Sequence, residues 1–299
     1  MSTTALRAPR TKRRDPRSHY PLWFYIPAAA VYGVLFLVPT VASLYFSLTR
    51  WSLTGAEFIG LENFALFFNE PYLLQGLVNT FVYGVLTSAL KVVIGLLLGV
   101  FLTSQIIARG YLRSVVFFPV LVSTVGVGIT FAVLMDPSDG LINRSLDAIG
   151  ITGPGWLTDP KLALISVALV DVWKGVGLAT LIYIAGIVAI PQEYFEAARV
   201  DGATALQNLR YVTLPLLWPA TSTVIVLSLI GGLRSFDLIW TMTRGGPGFT
   251  SDVVASVIFK QYQAGFWGLS SAGNVVLFLL VSALMVPLYW RLTRREVER

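Results

Sequence analysis

Six runs of about twenty or more residues contain almost nothing but apolar side chains, at roughly residues 23–48, 77–107, 112–135, 162–190, 214–234 and 268–292. About 20 such residues, wound as a helix, cross the hydrocarbon core of a bilayer. In that core every backbone N–H and C=O must find its partner within the protein, which leaves helices as the form for runs of this length. The expected fold is therefore all-α: a polytopic membrane protein of six transmembrane helices, without a soluble domain. Composition agrees, with 55% apolar and only 13% charged residues among 299 and a mean hydropathy of +0.72. The second run is long enough to tilt. The first, Leu22 to Leu48, is too long for the core of a cleaved secretory signal and no small-residue cleavage site follows it, so it is expected to stay in the mature protein.

Orientation follows from the basic residues. With the N-terminus inside, fourteen fall on the cytoplasmic side: six in the N-terminal tail, Arg109, Arg113, Arg199, Arg210, and Arg291, Arg294, Arg295 and Arg299. Six fall outside: Arg50, Arg144, Lys161, Arg234, Arg244 and Lys260. Both termini and the polar segment after the fourth run are then cytoplasmic. The net charge of +6 is concentrated at the chain ends, which is not the footprint of a nucleic-acid binder. The segments read as loops are 50–76, the Pro/Gly-rich 136–161, and 235–267 with its turn-forming Gly245-Gly246-Pro247-Gly248.

Several chemistries are excluded. There is no cysteine, and the one histidine, His19, lies in the basic tail. None of the five lysines follows a glycine, so the chain carries no phosphate-binding loop of the GxxxxGK type. No cofactor is expected in this chain.

The segment Glu193–Pro219 is polar yet lies between two apolar runs. Pro191 stops the fourth span. Gln192 to Val200 reads as a short helix with Tyr194, Phe195 and Ala198 on its apolar side. Asp201-Gly202 is a turn in which glycine suits the left-handed cap of a helix. Thr204 and Gln207 have capping-box spacing and would start a second short helix. Helix physics alone leaves open whether this is an ordinary amphipathic loop or a docking element. Glu196-Ala197-Ala198, three residues, Gly202, nine residues, then Val212-x-Leu214-Pro215 resembles the EAA loop of permease subunits of ABC importers. Valine in place of isoleucine is the one departure. Ile59-Gly60-Leu61-Glu62-Asn63-Phe64 is similar to the GLxNF segment of sugar-type permeases, and Asn79-Thr80 to the pair opening their second span. Phe118-Pro119 with Ser123, Pro137, Gly140 and Asn143, then Trp173-Lys174, Ala185-Gly186, Ile190-Pro191, Gly245-Gly246-Pro247, Tyr262, Gly268 and Ser271-Ala272 follow in the same order.

The chain is thus identified as resembling the maltose and glycerol-3-phosphate permease family, over roughly residues 20–292. The resemblance implies the fold of an ABC type I importer permease. Its coupling loop spans 191–215, where Glu196, Ala197, Ala198, Asp201, Gly202, Leu214 and Pro215 would meet an ATPase. It implies a cytoplasmic basic tail at 1–22, a permease domain at 23–292 and a cytoplasmic tail at 293–299, in a bacterial or archaeal inner membrane. The implied partners are a second, different permease, two ATPase subunits holding ATP and Mg, an extracytoplasmic sugar-binding protein and a carbohydrate. The chain itself would be a transport subunit and not an enzyme. Alternatives are an ABC permease for a non-sugar solute and an ion-coupled secondary transporter. The second would call for a carboxylate-rich relay, whereas Asp171 is the one acidic residue well inside a span.

Ionisable residues within spans face a cavity or a partner because lipid exposure is costly. Asp171 is expected to pair with Lys174, three residues on, beside Trp173 as a stacking surface. These three form a candidate substrate path, with a structural ion pair as the other reading. Lys91 is expected to snorkel or to bridge helices, and Arg234 to pair with Asp237 at the interface. Trp23, Trp51, Trp156, Trp218, Trp267 and Trp290 are expected as interfacial anchors.

Overall fold

A computed structural model of the chain describes residues 22–52 and 55–297. The basic residues of the N-terminal tail, His19 and Arg299 lie outside them, whereas 293–297 of the expected C-terminal tail continue the last helix. The first apolar run is a helix, α1 (Trp23–Phe46), with a wider π-helical turn over Gly33–Leu37. None of its residues is buried. An apolar helix exposed in this way is suited to contact with lipid chains. It leads into a hairpin, β1 (Thr49–Ser52) antiparallel to β2 (Gly55–Phe58), in which Arg50 faces Glu57. The hairpin is a small exception to the all-α expectation. Asn63, at the start of α2 (Glu62–Asn69), fastens it by donating to the carbonyls of Ser47 and Thr49, each at 2.9 Å.

The second span, α3, runs Pro71–Thr103 and begins before the apolar run does. Asn79 and Thr80 therefore lie two turns inside it rather than opening it. The third run is not one straight span. It is α4 (Arg109–Leu121) and α5 (Thr124–Leu134), bent by 96°. Pro119 removes a backbone donor there, Val122 is extended, and Ser123 caps α5 by accepting from the Gly126 amide. Next come α6 (Leu141–Asp147) and the fourth span α7 (Ala163–Val188). After α8 (Gln192–Val200) the fifth run is again broken, into α9 (Ala205–Leu216) and α10 (Trp218–Leu233) at 67°. Pro215 and Pro219 flank that break. Two further helices, α11 (Asp237–Met242) and α12 (Val254–Gln263), occupy a segment read as loop. The chain ends in α13 (Trp267–Val297). Among the described residues four helices are thus unbroken and long enough to cross a membrane, and up to six crossings result if each bent pair is one span.

The centre is α3, packed along α7 more extensively than any other pair and against α10 on another side. Small residues permit this approach. A Cβ on Gly95 would lie 2.7 Å from that of Ala179, one on Gly99 2.7 Å from that of Tyr183, and one on Gly232 2.8 Å from the Gly84 backbone. Tyr83, Val127, Val167, Val170, Leu238 and Ile239 form a buried apolar cluster beside this seam.

The 243–256 segment is stitched to α3. Asn79 donates to the carbonyls of Thr250 (2.9 Å) and Asp252 (2.7 Å), and Thr80 accepts from the Val254 amide (2.8 Å). Asp252 is buried, bonded to Ser256 at 2.8 Å and to Lys260 at 2.6 Å. Gly245 (φ +82°) is packed directly against this carboxylate, where a side chain would collide. Some of the tryptophans at predicted membrane edges also have structural partners. Trp156 donates to Asn143 (2.7 Å), Trp218 to the Leu292 carbonyl (3.2 Å), and Trp51 stacks on Phe46 at 3.9 Å.

Candidate functional site

The segment between α7 and α10 forms as its residues dictate. Pro191 sits extended ahead of α8 (φ −57°, ψ 137°) and cannot continue α7. Gly202 takes φ +75°, and the amides of Asp201, Gly202 and Ala203 close back onto the carbonyls of Ala197, Arg199 and Ala198. Thr204 accepts from the Gln207 amide (3.3 Å) while its own amide donates to the Gln207 side chain (2.8 Å), so the capping box is complete. Phe195 turns inward onto Ile190 and Leu217, and Ala198 is half-buried with it. Glu196, Ala197, Asp201 and Gly202 face outward, as does Leu214, while Pro215 is half-buried at the hinge with α10. Sequence reasoning missed the apolar part of this outer surface: Val200 is 87% exposed, and Leu206 and Tyr211 stand out beside it. An outward face combining acidic, small and apolar groups can receive another protein surface.

The second feature is a cavity of about 220 Å³ among α3, α4, α7 and α10. Its wall includes Lys91, Val120, Lys174, Leu178, Leu227 and Ser228. The expected pairing within α7 is not formed. Asp171 instead meets Lys91 across the helix seam at 2.8 Å, with side-chain exposures of 18% and 9%. Residues three apart do share a helix face, but Lys91 reaches the carboxylate from α3, which lies closest to α7. Of its two expected roles, Lys91 thus takes the one between helices. Tyr83 lies close enough to Asp171 to interact with it and contacts Ser235 at 3.4 Å. Lys174 stays in the cavity wall and, among the described residues, makes no ion pair. Trp173 is not part of this wall. Its ring lies 5.2 Å from that of Phe131, and it is 44% exposed. Arg234 and Asp237 are both exposed, and among the described residues no ion pair joins them.

Bent helices thus surround a mostly apolar cavity that carries two ammonium groups and one hydroxyl, and a folded, exposed segment lies at the end of one bent pair. Residues 91–296 match the family described as binding-protein-dependent transport system inner membrane component. The chain belongs to that family. Among relatives of this permease, the probable ABC transporter permease protein y4oQ of Sinorhizobium fredii is 34% identical over 95% of this chain and 93% of its own. The trehalose/maltose transport system permease protein MalF of Thermococcus litoralis is 31% identical over 86% and 88%. A crystal structure of a bacterial ABC transporter that imports the acidic polysaccharide alginate contains a chain of the same fold. Its TM-score is 0.79 at 21% identity, covering 91% of this chain and 95% of that one. The permease is accordingly a multi-pass membrane protein and a transport subunit, with the ABC type I importer permease fold.

One signal in the sequence points to the observed ion pair. The spans hold two lysines and one aspartate, so any buried pairing must leave one ammonium over. Ser228 and Leu227 carried no such signal.

Proposed function

We propose that this permease is one of two different membrane subunits of an ATP-driven, binding-protein-dependent sugar importer and supplies half of its translocation path. The observation that carries the reading is the cavity at the seam of α3, α4, α7 and α10. Its hydroxyl and ammonium groups suit a polyhydroxylated solute, and two of its walls come from bent helices able to pivot. The naming of a relative as a trehalose/maltose permease supports a carbohydrate. In this reading Lys174 faces the solute, Asp171 holds Lys91 in place, and Trp173 flanks the path. The 191–215 segment is the coupling loop. Glu196, Ala197, Asp201 and Gly202 dock an ATPase from the cytoplasm, Ala198 fixes the loop to the bundle, and Leu214 and Pro215 pass motion to α10. ATP and Mg would be held by that ATPase, two copies per complex. A binding protein would deliver the sugar from outside, and both termini and the two tails would be cytoplasmic. Family membership disfavours an ion-coupled carrier working alone.

Purification from native membranes in mild detergent, followed by identification of companions, tests this. An ATPase and a different permease should co-purify, and ATP should drive uptake once the complex is in vesicles. A chain that purifies without either companion, or ATP-independent uptake, would overturn the proposal.

A further inference from the structure

The charges around the cavity do not balance. Lys91 is committed to Asp171 at 2.8 Å, and its stem is held by α7: a Cβ on Gly175 would lie 2.7 Å from its Cε. Asp171 is the one acidic residue inside the spans and is used by this pair. Lys174 is half-buried in the same wall and, among the described residues, makes no ion pair of its own. The other lining groups are all neutral, mostly aliphatic, with the Ser228 hydroxyl as their one polar side chain. An ammonium kept in the membrane interior requires a counter-charge or water. Polar groups in such a cavity orient a ligand and set its specificity.

We propose that the counter-charge is carried by the transported solute, so that the importer takes an acidic saccharide. Its carboxylate, or an equivalent acid on the sugar, bonds to the Lys174 ammonium while Ser228 meets a ring hydroxyl. This rests on the sugar-importer reading above. A charge-assisted bond of this kind discriminates by about tenfold or more between a uronic acid and its neutral counterpart.

The test compares cells that make the protein with cells deleted for it. Radiolabelled uronides of one to four rings are each offered beside the neutral glycoside of the same linkage. Deletion should abolish uptake of an acidic member. Loss confined to a neutral member would overturn the acidic class and leave the sugar importer standing. Loss of no saccharide would overturn both. The variants Lys174→Met and Lys174→Arg are then measured for complex yield as well as uptake. Lys174→Met should lower acidic uptake about tenfold or more at normal yield, and Lys174→Arg should retain most of it. Unchanged acidic uptake by Lys174→Met would refute the contact. Failure of Lys174→Met to assemble with the partner permease would assign the ammonium to an acid of that partner, which also overturns the proposal.

Discussion

Replacing Asp171 with asparagine, with Lys91 left in place, should be the most damaging single change in the polar interior. Lys91 is 9% exposed, and its reach is fixed by α7. Without the carboxylate, its ammonium has no counter-charge and shares one cavity wall with the ammonium of Lys174. Removing one partner of a buried pair costs about 3–5 kcal/mol. Asp171 is 18% exposed, so the lower end, about 3 kcal/mol, is expected. Lys91→Met should cost less, because Asp171 would keep Lys174 three residues away on the same face of α7. The double variant Lys91→Met/Asp171→Asn should fall within about 1 kcal/mol of wild type, since a neutral pair of similar volume creates no newly unpaired charge. The assay is the fraction of purified protein that stays monodisperse by size exclusion after heating in detergent, across a temperature series. The expected order of damage is Asp171→Asn, then Lys91→Met, then the double variant. An Asp171→Asn protein as stable as wild type would refute the reasoning. Equal damage from the two single changes would refute the substitution of Lys174 for Lys91.

Three further outcomes are expected. Gly202 has φ +75° and open space around it, so an alanine or tryptophan there costs about 1–2 kcal/mol of backbone strain rather than a collision. ATP-dependent uptake should fall while insertion stays normal, and undiminished transport by Gly202→Trp in vesicles would contradict the coupling role. Gly99→Leu must displace Tyr183 from the α3–α7 seam and should cost about 1–3 kcal/mol or more, read as lost detergent-stable protein. In this cysteine-free chain, a cysteine at the exposed Thr204 should resist an impermeant thiol reagent in intact cells, whereas one at the exposed Ser138 should react. The reverse pattern would invert the orientation.

The local part of this molecule was legible because its determinants are local. Pro191, Gly202 and the Thr204–Gln207 box fix the 192–216 segment through backbone geometry and two local hydrogen bonds, and α8 has the bounds its residues predict. The breaks in the third and fifth spans were not anticipated. Hydropathy registers that Phe117–Leu121 and Leu214–Leu217 are apolar and takes no account of the lost donors at Pro119, Pro215 and Pro219. The Asp171–Lys174 pairing failed for a different reason. Sequence spacing ranks partners on one helix, whereas Lys91 competes from eighty residues away along the chain, across a seam made close by Gly95 and Gly99. Helices α6, α11 and α12 are not legible in the sequence because each is short and lies in a segment with turn-forming glycine and proline residues.

The bonds that fasten α3 to the 243–256 segment join residues 171, 173 and 174 positions apart. On a ribosome adding about 5–20 residues per second, roughly 9–35 seconds separate the emergence of Asn79 and Thr80 from that of their partners. Throughout that interval the Asn79 amide, set two turns into an apolar helix, lacks both of its later acceptors in a medium that offers few others. The nascent helix therefore needs a sheltered berth at the insertion machinery until nearly the whole protein has been made. Chains truncated before Thr250 should be cleared by membrane proteases faster than the same truncations carrying Asn79→Leu, a difference that pulse–chase labelling would measure.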